Sequence, residues 1–178
     1  VEAGTGFSFE SKISGGSIPK EYFKAIEQGF KQASETGHLA GFPMNDVGFV
    51  LLDGNHHEVD SSEMAFRTAA MQGVKENLGK AGPQLQEPLM SLEVVVPDEY
   101  LGDVMGDLNS RRGNVSGLDM RGKVHVVSAE VPLKEMFGYA TELRSRSQGR
   151  ATYTMQFSHF KAVPTAVAEE IVTKAQGG

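Results

Sequence analysis

An α+β chain of two modules is the fold class this sequence predicts, and three observations carry that reading. The stretch from Val96 to Arg111 returns thirty-five residues later in altered form, with Val131 on Val96, Pro132 on Pro97, Met136 on Leu101, Glu142 on Asp107, Leu143 on Leu108, Ser145 on Ser110 and Arg146 on Arg111. Each copy follows an extended apolar run, Leu92 to Val96 and Val124 to Val131, and each is closed by a glycine, Gly113 or Gly149. Ahead of Gly79 a strand with two-residue period, a helix, a short apolar strand and a second helix follow one another, and Gly79 to Pro88, with two glycines and two prolines, separates the halves.

The repeated unit has a physical motive at each boundary. Proline presets a backbone angle suited to a first helical turn, arginines in the last turn oppose the negative end of the helix dipole, and glycine accepts a left-handed cap. Extended segments follow each glycine, Asn114 to Met120 and Ala151 to Phe160. The second half therefore reads strand, helix, strand twice over, the ferredoxin-like βαββαβ pattern.

In the first half, Phe7, Phe9 and Ile13 share one face of a strand from Gly6 to Ile13, and Gly15-Gly16 turns the chain. Pro19 opens a helix with Tyr22 or Phe23, Ile26, Phe30 and Ala33 on one side, ending near Gly37. The glycine pair reads as a turn and not as a phosphate cradle, because no Lys-Ser/Thr follows it. Asp46 to Leu52 is a short apolar strand ending in the turn Asp53-Gly54-Asn55. A second helix is expected with Met64, Thr68, Met71, Val74 and Leu78 inward, its start fixed by Asp60 as N-cap and Glu63 in a capping box. Two strands are too few for a stable sheet, so further strands are expected before Val1, or cover from the second half. The expected domains are 1–86 and 87–178, the latter ending in a helix from Val163 to Lys174.

Composition narrows the chemistry. The absence of cysteine removes disulfides, thiolate metal sites and cysteine nucleophiles together. No apolar run is long enough to span a bilayer and no signal peptide is visible, so no membrane role and a cytoplasmic location are expected. The chain opens on Val1 instead of Met, which suggests a piece of something longer. Net charge is −6, yet six of the seven arginines lie between Arg111 and Arg150. A general nucleic-acid coat is excluded and a local basic patch is not.

Three groups of residues stand out. His56 and His57 are adjacent, so their side chains diverge and make a poor chelating pair without a third ligand. They sit in a loop just outside a helix start, which reads either as an exposed polar loop or as a tip that touches another macromolecule. Asp98, Glu99, Asp103 and Asp107 share one helix with Arg111, the pattern of a solvated face with ion pairs. Arg111, Arg112, Arg121 and Lys123 form one basic cluster, and Arg144, Arg146 and Arg150 another. Helix-end arginines satisfy the dipole, and they equally suit contact with RNA phosphates. A ferredoxin-like half with arginines also admits an acyl phosphatase, although no phosphate loop is visible.

Several long motifs closely resemble the C-terminal third of translation elongation factor G. They are Gly15-Gly16-Ser17-Ile18-Pro19-Lys20-Glu21-Tyr22, Gly41-Phe42-Pro43, Asp53-Gly54 with His57-Glu58-Val59-Asp60-Ser61-Ser62-Glu63-Met64-Ala65-Phe66, Gly102 through Gly113, and Met136 through Ser145. The resemblance implies that 1–86 is most of domain IV, of ribosomal protein S5 domain-2-like fold without its first strands and glycine-rich tip loop, and that the ferredoxin-like part is domain V. It implies a translocase that uses GTP and Mg²⁺ in domains outside this sequence, so that no catalytic, metal or cofactor residue is expected here. Its partners would be the ribosome, with 16S and 23S rRNA and stalk-base proteins, and the tRNA–mRNA pair. Asn55, His56, His57 and Glu58 would be the decoding-region contact, and Arg111, Arg112, Arg121, Arg144, Arg146 and Arg150 the large-subunit rRNA contact. Two departures, His56 where the family usually has Tyr and Ala151 for a frequent Gly, point to a paralogue for ribosome recycling or tetracycline protection as the alternative.

Overall fold

The computed structural model describes residues 1–37 and 39–177. They form two compact units, Val1–Gln84 together with the residues from Thr165 onward, and Leu85–Pro164.

In the first unit, β1 (Phe7–Ser11) and β2 (Val47–Leu51) pair in parallel, with Phe9 opposite Phe49. A parallel pair needs a crossover, and α1 (Phe23–Ser34), entered through a 3-10 turn at Lys20–Tyr22, supplies it. Alternation decides the packed face: Phe7, Phe9, Val47, Phe49 and Leu51 are half-buried, whereas Ser8, Glu10 and Val50 face outward. Phe30 of α1 stacks on Phe49 at 4.6 Å and lies 5.8 Å from Phe9. The second helix, α2 (Glu63–Asn77), packs beside α1.

The buried face of α2 keeps Val74, with Met71 and Leu78 half-buried as expected, but Phe66 and Ala70 take the inward places expected for Met64 and Thr68. Ala70 and Val74 are buried and Phe66 half-buried, while Met64 is 77% exposed. The cause is the close approach of the helices at Gly29, where a Cβ would stand 2.5 Å from the Arg67 carbonyl oxygen and 2.9 Å from the Ala70 Cβ. At that separation a small residue fits and a long methionine does not, so size overrides hydrophobicity in choosing the face.

The second unit has the expected βαββαβ order: β3 (Gln86–Pro97), α3 (Leu101–Ser110), β4 (Asn114–Arg121), β5 (Val124–Pro132), α4 (Tyr139–Arg146) and β6 (Thr152–Ala162). The sheet runs β4-β5-β3-β6 with every neighbour antiparallel. Leu92, Val94 and Val96 of β3 and Val127, Ala129 and Val131 of β5 bury one face against Val104 and Leu108 of α3 and Tyr139 and Leu143 of α4. This is the α+β, ferredoxin-like architecture.

The repeat is present with altered boundaries. Pro97 and Pro132, at φ −63° and −59°, each end a strand and open a 3-10 turn, not the α-helix itself. The second copy then breaks at Gly138, φ 75°, so α4 has eight residues against ten in α3. At the first C-cap the left-handed residue is Arg112, φ 59°, and not Gly113. Gly113 is required for space: its N–H donates to the Leu108 carbonyl at 2.8 Å, and a Cβ would lie 2.7 Å from that oxygen. In the second copy Gln148 and Gly149 are both left-handed, at φ 52° and 77°. The last helix is α5 (Thr165–Gln176), which groups with the first unit.

Gly29→Ala is expected to destabilise the first unit by about 1–3 kcal/mol through overpacking, read as a lower denaturant midpoint with the slope unchanged. A neutral or stabilising outcome would show that the helices can separate without cost.

Candidate nucleic-acid interface

The loop between β2 and α2 is built from both sides. The Asp53 carboxylate accepts from the Gly54 N–H at 2.8 Å and from the Ser17 hydroxyl at 3.1 Å, tying this turn to the turn made by Gly15 and Gly16, both at positive φ. Gly54 passes so close to Ile18 that a Cβ would overlap its Cδ1. His56 is half-buried, its ring 5.8 Å from Tyr22, which itself stacks at 4.6 Å on Phe66 of α2. The loop thus leaves the body over an aromatic platform.

Beyond His56 the chain closes a short turn. The His57 N–H donates to the Ser61 hydroxyl at 2.9 Å, and the Ser61 N–H donates to the His57 carbonyl at 3.0 Å. Asn55, His57, Glu58 and Asp60 are exposed, and Val59 at the apex is 93% exposed. The expected cap at Asp60 is replaced by Ser62, which is extended and accepts from the Ala65 N–H at 3.0 Å. Asp60, Ser61 and Ser62 all suit an N-cap; Ser61 is committed to His57, and Ser62 stands directly before the helix. Of the four tip residues singled out by sequence, three project into solvent, while His56 turns back onto Tyr22. Among the described residues no three His, Asp or Glu side chains gather closely enough to hold a metal ion.

The arginines separate into two kinds. Arg111 holds Asp107 Oδ2 through Nε at 2.9 Å, donates from Nη1 to the carbonyls of Glu135 at 2.5 Å and Phe137 at 3.4 Å, and lies 5.2 Å over the Tyr139 ring. It therefore pins the end of α3 to the turn before α4. Arg112 grips Glu87 with both terminal nitrogens, one at 3.0 Å, and stands 3.7 Å from Glu135; the bonds to Glu87 hold its guanidinium even more firmly charged than usual. Arg146 pairs with Glu142 at 2.7 Å and with Asp107 at 3.7 Å. Arg150 pairs with Glu99 and lies over the Tyr100 ring. Arg121 and Arg144 are exposed, and their side chains make no hydrogen bond or ion pair among the described residues.

The solvated face with ion pairs holds for Asp98, Glu99 and Asp103, all exposed, and Asp107 departs from it. Asp107 is 6% exposed between two arginines, Asp98 meets His125 at 2.8 Å, and Glu99 meets Arg150. Arg111, filled by its own carboxylate and carbonyls, is not open to an incoming phosphate. Burial pushes the Tyr139 phenol far above its ordinary range, so that side chain packs and does not titrate. The Tyr22–Phe66 platform and the Ser61 closure escaped the sequence reading; a Ser-Ser pair ahead of a helix was the signal available for the second.

Residues 1–82 match the family model for elongation factor G, domain IV, and residues 84–171 match that for the elongation factor G C-terminus. The crystal structure of ttk003000868 from Thermus thermophilus superposes with a TM-score of 0.90 at 41% identity, covering 99% of this chain and 27% of that one. The chain thus spans about a quarter of the length of that relative, and it belongs to the elongation factor G family.

Proposed function

We propose that this chain is the ribosome-facing part of a translocase. In this reading the β2–α2 loop enters the decoding region of the small subunit and meets the tRNA–mRNA pair and 16S rRNA through Asn55, His57 and Glu58. Hydrolysis of GTP, with Mg²⁺, belongs to domains outside this sequence, and the segment carries no catalytic step of its own. The observation that carries the reading is an exposed imidazole at the end of a loop whose backbone is closed at both ends.

Electrostatics supports a contact made by shape and local hydrogen bonding. A body of net charge −6 repels RNA at long range, and Glu58 and Asp60 flank the apex. Non-specific phosphate binding scales with the number of free cations, so an acidic tip rejects bulk RNA and engages only where the ribosome presents a matching surface. An imidazole can donate or accept toward a 2′-hydroxyl, a phosphate or a base edge. On the second unit, Arg121 at the two-residue β4–β5 hairpin and Arg144 on α4 are the arginines open to 23S rRNA, while Arg111, Arg112 and Arg146 hold the fold.

A second reading, a paralogue for recycling or tetracycline protection, is favoured by His56 where the family usually has Tyr. Exchanging this segment into a translocase and measuring translocation against subunit splitting separates the two.

His57→Ala in a full-length elongation factor G carrying this segment is expected to slow single-round translocation by about tenfold, the scale of 1.4 kcal/mol, with GTP hydrolysis intact in the same stopped-flow series. Equal loss of both rates would contradict a role in movement. The paired change Arg121→Glu with Arg144→Glu should weaken ribosome binding and flatten its salt dependence while leaving the unfolding midpoint unchanged. Arg111→Met should do the reverse, costing about 3 kcal/mol of stability because Asp107 loses its principal partner while buried. If Arg111→Met unfolds no more readily than the parent, its hydrogen bonds are not structural.

A further inference from the structure

We infer that Ser61 is a positioning residue for His57, a role that rests on reading His57 as the ribosome-touching side chain. The imidazole itself is exposed and has no hydrogen bond or ion pair among the described residues. Its placement must therefore come from its backbone. Both polar groups of the His57 backbone go to a single residue: the N–H to the Ser61 hydroxyl at 2.9 Å and the carbonyl to the Ser61 N–H at 3.0 Å. Two bonds between the same two residues close the turn as a ring and remove the hinge freedom that one bond would leave. The three residues between them, Glu58, Val59 and Asp60, are exposed, and no hydrogen bond or ion pair is seen on their side chains among the described residues, so their side chains do not hold the turn.

The ring is anchored at both ends. Before it, the His56 ring lies over Tyr22, and after it Ser62 caps α2 through Ala65. The division of labour between neighbouring serines is the useful feature: Ser62 serves the helix, Ser61 serves the loop. A threonine at 61 keeps the hydroxyl acceptor, whereas alanine removes it and leaves the His57 N–H to water.

This division sets the test. In a full-length elongation factor G carrying this segment, Ser61→Ala should slow single-round translocation about fivefold, the scale of one net hydrogen bond, with GTP hydrolysis unchanged. Ser61→Thr should restore the rate. Ser61→Ala combined with His57→Ala should be no slower than His57→Ala alone, because a positioning residue has nothing left to position. By hydrogen exchange, Ser61→Ala should unprotect the His57 amide, whereas Ser62→Ala should fray the start of α2 and leave that amide protected. Additive losses in the double variant, or a normal rate for Ser61→Ala beside a slow His57→Ala, would overturn the inference and leave the tip reading standing. A normal rate for His57→Ala would overturn both.

Discussion

The close passage of α1 and α2 at Gly29 is the constraint on which the first unit depends. With no side chain at that position the two helix backbones come within reach of the Arg67 carbonyl, and the phase of α2 follows: Ala70 and Val74 turn inward and Phe66 meets Tyr22. Once Phe66 is set, so is the platform under His56, and the loop has only the residues from His57 to Ser62 in which to reach the helix. A small residue at one crossing thereby determines where an exposed imidazole is held. Packing transmits position in this way because interiors are dense and give little.

In the second unit the equivalent role falls to charge. Asp107 sits between Arg111 and Arg146, one from each copy of the repeat, and Arg111 continues to the carbonyls ahead of α4. A nearly buried carboxylate is costly unless paired and hydrogen-bonded, and here two helix ends are joined in pairing it. Of the clustered arginines, Arg111 and Arg112 are held in largely buried pairs, Arg146 and Arg150 are paired yet exposed, and Arg121 and Arg144 are exposed without a pair among the described residues.

How much of this was legible in the sequence follows from the range of each interaction. The two prolines, the closing glycines and the two-residue alternation of Phe7 and Phe9 are local signals, and the elements they mark are present. The left-handed residue at Arg112 was missed because the glycine beside it carries the same signal for a different reason, a close approach to Leu108. The cap at Ser62 was missed because three adjacent residues are chemically competent and only the fold chooses among them. On α2 the helical period marks Met71, Val74 and Leu78 correctly, whereas Met64 and Thr68 give way to Phe66 and Ala70 because helix spacing decides there. The partners of the arginines, Glu87, Glu99 and Glu135, lie 23 to 51 residues away, beyond any periodic argument. For the candidate tip, the residues were readable but the device that holds them, Ser61 and the Tyr22–Phe66 stack, required coordinates.

This segment contains no cysteine, so an introduced thiol is unique within it, and any cysteine elsewhere in a full-length factor is first replaced by serine. Val59→Cys, at the most exposed point of the loop, tethers an iron chelate for hydroxyl-radical cleavage in a full-length factor bound to the ribosome. Cleavage of 16S rRNA confined to the decoding region is the result the account predicts. Cleavage elsewhere on the ribosome, or none in a factor shown to be bound, would contradict it.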